Sequence, residues 1–225
     1  MDIDVLYRSA NALARVRLDP AEELRVEGGA MVAMSGLTIE TRASGGIFRS
    51  LKRIVGGESF FLNLYKAGRE GGELYLAPAM PGDMRVLTLD HSDVLVQSGA
   101  FVAGGSGVEI DTTWSGARRF FAGHSLIMLR ARGTGDLLVS SYGALHELEL
   151  GPGETYTVDT GHLVTMSASL AFSIKRVGGL RSTVLSGEGL VVELTGPGRA
   201  TLQSRSEQAF LGWLIPQLPD NDDRP

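Results

Sequence analysis

The sequence predicts an all-β protein made of three fused β-sandwich units, and three observations carry that prediction. One stretch, opening on leucine and closing on serine, occurs three times: LDPAEELRVEGGAMVAMS at Leu18–Ser35, LDHSDVLVQSGAFVAGGS at Leu89–Ser106 and LGPGETYTVDTGHLVTMS at Leu150–Ser167. Outside it, Gly72, Gly135 and Gly198 recur at equal intervals of roughly 63 residues. Finally, 30 glycines against 8 prolines divide the chain into short apolar runs, the punctuation of turn-rich β structure.

The elements follow in order. Ile3, Val5 and Tyr7 alternate as in an edge strand, and Ala14, Val16 and Leu18 continue that period. Asp19-Pro20-Ala21-Glu22 makes a turn, since proline presets its backbone angle and aspartate bonds the chain ahead. Leu24 and Val26 then form a strand, Gly28-Gly29 turns the chain, and residues 31–34 form the next strand, so each repeat reads as a β-hairpin. Strands follow at 37–41, 60–65 and 73–78, the last two joined by the glycine cluster at 68–72. The same succession returns after Leu89 and after Leu150, which divides the chain into units at 1–80, 81–143 and 144–206. The remainder, 207–225, changes character. Ser206 can cap a short helix carrying Phe210, Leu211, Trp213, Leu214 and Ile215, Pro216 stops it, and PDNDDRP has the composition of a solvated tail.

Composition removes several classes of function. With no cysteine there is no disulfide, thiolate metal site or cysteine nucleophile. A formal charge of −5 gives no general attraction to nucleic acid or anionic lipid, so neither is expected except through a local basic face. The N-terminus lacks a basic, apolar leader and no run is long enough to span a bilayer, so the expected location is cytoplasmic, at most peripheral to a membrane. None of the four histidines forms a His-x-His pair, and no glycine run has phosphate-loop spacing; no metal or cofactor is expected.

Two sets of residues stand out as candidate sites. The segments IFRSLKRIV, ARRFF and LRSTVL occupy comparable places in the three units, and all are basic and apolar. They collect Phe48, Arg49, Lys52, Arg53, Arg118, Arg119, Phe120 and Arg181 into surfaces suited to a membrane-associated partner, alongside Phe210 and Trp213 near the C-terminus. The plainer reading is packing, with arginine and lysine heads snorkelling to water. The second set is Asp159 and His162, where an aspartate near a histidine can fix its tautomer for proton transfer; Ala30 and Ala100 fill the histidine's place in the other repeats.

The ordered series GGES-FFLN, DTTW, SSYGALHELELGPGE, VDTGHLV, KRVGGLRS, SGEGLVVEL and GPGRATLQSRS resembles the altered-inheritance-of-mitochondria family over residues 1–206. The resemblance implies three fused domains of the tryptophan-RNA-binding attenuation protein type and a homotrimer closing a nine-unit ring. It implies no catalytic residue. The function expected is a non-enzymatic scaffold. Two alternatives stand beside it: a module holding RNA or a small ligand between units, and an enzyme using His162.

Overall fold

The computed structural model describes residues 1–40, 54–55, 58–59, 62–111, 127–176 and 190–219. The first third contains β1 (Asp2–Leu6), β2 (Leu13–Leu18), β3 (Glu23–Glu27), β4 (Met31–Ser35), β5 (Leu37–Glu40), the short β6 (Ile54–Val55) and β7 (Glu58–Ser59), β8 (Leu62–Ala67) and β9 (Gly72–Leu76). The middle holds β10 (Met84–Gln97), β11 (Phe101–Gly105), β12 (Val108–Asp111) and β13 (Met128–Ser140). β14 (Leu145–Leu150), β15 (Thr155–Asp159), β16 (Leu163–Ser167), β17 (Ala171–Arg176), β18 (Leu190–Thr195), β19 (Gly198–Gln203) and helix α1 (Glu207–Leu214) complete the chain. The protein is therefore all-β, in open sheets.

The repeated stretch is not a hairpin. β3 pairs with β8 and β11, whereas β4 pairs with β9, so the turn at Gly29 carries the chain from one sheet to another. β15 and β16 part in the same way, to β18 and to β19. The two arms lie in different sheets and are buried to different degrees: β3 turns Leu24 and Val26 inward and Leu163–Met166 of β16 are buried, whereas all five residues of β4 are exposed.

One pairing scheme serves the whole chain. β9 lies between β2 and β4, β19 between β14 and β16, and residues 135–140 of β13 between the first half of β10 and β11. Correspondingly, β8 lies between β3 and β5, β18 between β15 and β17, and residues 128–132 of β13 between the second half of β10 and β12. In the middle third, two strands run unbroken through corners that interrupt the chain elsewhere. One of these corners has positive φ in all three versions, at Ala21 (64°), His91 (49°) and Gly153 (75°). Glu22 and Glu154 brace the outer two by accepting from the amides of Asp19 and Gly151. A bulge also recurs: Val32, Val102 and Val164 are each skipped in the register with the adjoining strand.

Three cores result. The first holds Leu18, Leu24, Val26, Tyr65 and Leu74, and is closed by Met84, Val102, Ala103 and Leu138 from β10, β11 and β13. The second centres on Leu89, Val96, Phe101, Leu129 and Leu137, and takes in Val164 from beyond it. The third contains Leu150, Leu163, Val192, Leu194 and Ala200. The first and second cores are thus each sealed in part by strands of the following repeat, through pairing of β11 with β3 and of β16 with β10.

The connecting segments stack along one end. Asp83 donates its amide to the Gly143 carbonyl at 2.9 Å and its carbonyl accepts from the Ser141 amide at 3.0 Å. Arg8 reaches across to the Asp83 carboxylate in a bidentate pair of 3.0 and 2.9 Å, and the Met84 amide donates to the same group. These donors hold the buried Asp83 carboxyl below its usual range, the arginine foremost, against the opposing pull of desolvation.

Candidate functional site

Asp159 ends β15 and His162 opens the run into β16, with a single 3-10 turn between them. The carboxylate of Asp159 accepts from the Gly161 amide at 2.7 Å. The His162 ring places Nδ1 2.7 Å from the Gln203 carbonyl oxygen, which can only accept, so Nδ1 carries the proton and a neutral ring offers Nε2 as acceptor. The tautomer is thus set by the Gln203 carbonyl, and not by Asp159 as the sequence suggests. The Gln203 side chain ties down both neighbours: its amide donates to the Gly161 carbonyl at 2.9 Å and its oxygen accepts from the Tyr142 amide at 2.9 Å.

His162 also lines an open cleft of about 450 Å³ with His146, Leu148, Tyr156, Val158 and Leu202. The cleft lies beside β15, which has β18 on one side and, among the described residues, no strand on the other. β4 is the matching edge at the opposite end of the series. Its residues Met31, Val32 and Met34 are 41%, 57% and 42% exposed. Sequence reasoning missed both edges; the one available signal was that MVAMS carries no charge, whereas edge strands in contact with water normally do.

Helix α1 begins where Ser206 accepts from the Ala209 amide at 3.3 Å, with Glu207 in its first turn. Phe210 anchors it by an edge-on contact with Tyr142, ring centres 6.0 Å apart, and meets Trp213 on its other side. Leu211, Trp213, Ile215 and Leu218 remain exposed, Trp213 at 64%. Of the sequence-predicted surface, Phe210 and Trp213 come together here. Phe48, Arg49, Lys52, Arg53, Arg118, Arg119, Phe120 and Arg181 lie outside the described residues. Among the described residues, no group of three or more His, Asp or Glu side chains could hold a metal, and no helix is long and apolar enough to cross a membrane.

These features define a class of protein: open antiparallel β layers with exposed apolar residues on the edge strand β4 and on and just beyond one short helix. The family follows from comparison. The family described as Mitochondrial biogenesis AIM24 matches residues 3–205, and the chain belongs to it. An uncharacterized protein of Streptococcus pyogenes is 28% identical over 218 residues, spanning 92% of this chain and 87% of its own length. A Streptococcus pyogenes protein of known crystal structure is similar throughout, with a TM-score of 0.78 at 26% identity, covering 96% of this chain and 99% of the other.

Proposed function

We propose that the protein is a non-enzymatic scaffold: three fused units of the tryptophan-RNA-binding attenuation protein type, at 1–80, 81–143 and 144–206, that trimerise into a ring and hold a membrane-associated partner. The recurrent pairing scheme supports three units, and the resemblance suggests the trimer. The observation that carries the docking role is α1. It is anchored through Phe210 yet leaves Leu211 and Trp213 exposed, as are Ile215 and Leu218 just beyond it, and a helix serving only as a plug would bury that face. The basic-apolar segments supply the charged part of the docking surface, which gives it an electrostatic, salt-sensitive component.

The test is capture from the protein's own cell membranes. Reversing Arg49, Lys52 and Arg53 to glutamate, or changing Trp213→Ser, is expected to reduce recovery of the protein with membranes by about tenfold, with the charge-reversed form also losing its salt dependence. Recovery unchanged in both variants would remove the docking role.

A further inference from the structure

We propose that the outer edge of β14 takes up an extended segment of a partner protein as an added antiparallel strand, one that alternates basic with apolar residues. No residue of α1 or of the basic-apolar segments takes part, so this surface is additional to the docking role and rests on the equivalence of the repeats alone.

The chain holds its own precedent. Aligned on Leu18 and Leu150, β2 and β14 are equivalent strands of six residues, with Ala14 opposite Leu76 of β9 and His146 opposite Leu202 of β19. β2 has a second neighbour on its outer side. This is β1, in the register Asp2 with Arg17, Ile3 with Val16, Asp4 with Arg15, Val5 with Ala14 and Leu6 with Leu13. β14 ends its sheet, and among the described residues no strand pairs with its outer side. The main chain there offers the same row of donors and acceptors that β1 satisfies on β2.

Burial shows what such a strand does. Ile3 and Val5 pack against the first core, and Ala14 and Val16 opposite them are fully buried, both at 0% exposure. His146, aligned with Ala14, is exposed, and Leu148, aligned with Val16, is half-buried. Both line the open cleft, together with Tyr156, Val158 and Leu202. A strand set on β14 as β1 is set on β2 would place two apolar side chains opposite Leu148 and His146, at the positions of Ile3 and Val5. That side of the cleft would then be covered.

Charge names the occupant. On β2, Arg15 binds Asp4 of β1 at 2.5 Å and Arg17 binds Asp2 at 2.6 Å. The residues of β14 at those two places are Glu147 and Glu149, so the sign is reversed and the entering strand must be basic where β1 is acidic. The β1 strand of a second copy is thereby excluded, because its aspartates would face glutamates. In the middle repeat the same places hold Val86 and Thr88, and the edge of β10 makes no such demand. Glu147 meets Arg85, and Glu149 meets Arg199 at 3.3 Å, yet the two carboxylate side chains are 53% and 75% exposed. Each has oxygens enough for a second cation, just as Arg17 serves both Asp2 and Asp4. The matching segment is therefore the pattern of β1 with its acids exchanged for bases, Lys-Ile-Lys-Val-Leu.

A glycine-flanked peptide carrying Lys-Ile-Lys-Val-Leu, titrated into the full-length protein, is expected to bind at least about tenfold more tightly than one carrying Asp-Ile-Asp-Val-Leu. It should exceed by a similar factor Lys-Lys-Ile-Val-Leu, which keeps the charge and loses the alternation. Amide exchange should slow across β14 when the first peptide binds, and stay unchanged across α1. Because Glu147 and Glu149 are exposed, Glu147→Arg with Glu149→Arg is expected to leave the far-ultraviolet circular dichroism unaltered and to reverse the preference, so that the aspartate peptide binds more tightly. Equal binding of the two lysine peptides would overturn the proposal, since the edge would then merely collect cations. So would no binding, a preference unchanged in the double variant, or protection away from β14; the glutamates would then only guard an edge left in water. Membrane capture through Trp213 is read separately and stands or falls without these results.

Discussion

The first and third cores are built from equivalent strands, yet one is closed within the chain and the other is not. In the first, Val102, Ala103 and Leu138 arrive from β11 and β13 of the next repeat, and Leu24 and Val26 are completely buried. In the third, the corresponding side chains of β15 are unevenly covered: Val158 is buried but Tyr156, aligned with Leu24, is 46% exposed. The difference teaches that a core here is not the property of one stretch of sequence. It belongs to a junction between successive stretches, and a series of such junctions ends on two unfinished faces.

The sharpest way to break the comparison is one substitution at both places. Val102→Asp puts a carboxylate into the closed first core with no cation to meet it, and is expected to cost about 3–5 kcal/mol of unfolding free energy. Val32→Asp, measured at a concentration where chains are separate, is expected to change that free energy by less than about 0.5 kcal/mol. Urea denaturation of the two variants checks both. Equal losses would mean that Val32 is already covered within the chain and that the two cores do not differ.

Much of the fold was legible because the repeat is written in core residues. Leu18, Leu89 and Leu150, which open the three versions, are all buried at 2–3% exposure, and the alternation around Leu24 and Val26 marks a strand with one inward face. The crossing between sheets was not legible. An apolar run, a glycine and a second apolar run describe a hairpin and a sheet-to-sheet corner equally well, since both need only a reversal. Nor could the corner residues be recognised by type, because positive φ falls on Ala21 and His91 as well as Gly153. The uncovered edges were hidden for a different reason. MVAMS looks like buried strand because its equivalents are buried, and which copy is left over depends on where the series stops. The candidate site fared similarly: Asp159 and His162 are neighbours as expected, but the group that orients the imidazole is the backbone of Gln203, which no side-chain motif announces.

A second contrast concerns the connecting segments at the end of the cores. Between the first and second cores, Asp83 binds Arg8, the Met84 amide and the stacked backbone of 141–143. After the third core, Ser204 and Arg205 bond backward to Ala144 and Tyr142, and among the described residues no carboxylate locks them. Asp83→Asn is expected to cost about 1–3 kcal/mol, since it removes a charge-assisted fork from a group 6% exposed while leaving Arg8 half in water. The sign with pH follows from the lowered carboxyl. An acid held below its unfolded value of 3.8 stabilises the fold fully above that value and loses the contribution as pH falls through the folded one. The native protein should therefore lose stability more steeply than Asp83→Asn on acidification below about pH 4, and the two curves should converge. A gap that stays constant through that range would show that the ion pair is not its source.

The smallest effect is expected at the open end of the series, where α1 is fixed by few contacts. Ser206→Ala removes the side-chain acceptor for the Ala209 amide and should weaken the helix by about 1 kcal/mol. Amide exchange across 208–214 should then quicken by roughly fivefold, while the amides of β13, enclosed between the second core and its neighbours, keep their native rates. Because Phe210 and Tyr142 provide the remaining anchor, the loosened helix should also shift Trp213 emission, as its ring lies 6.2 Å from that of Phe210. If β13 exchanged faster as well, the helix would be a structural part of the third core. Exchange confined to the helix makes α1 a separately stable appendage, free to give its exposed Leu211 and Trp213 to a partner without opening the sheets beneath it.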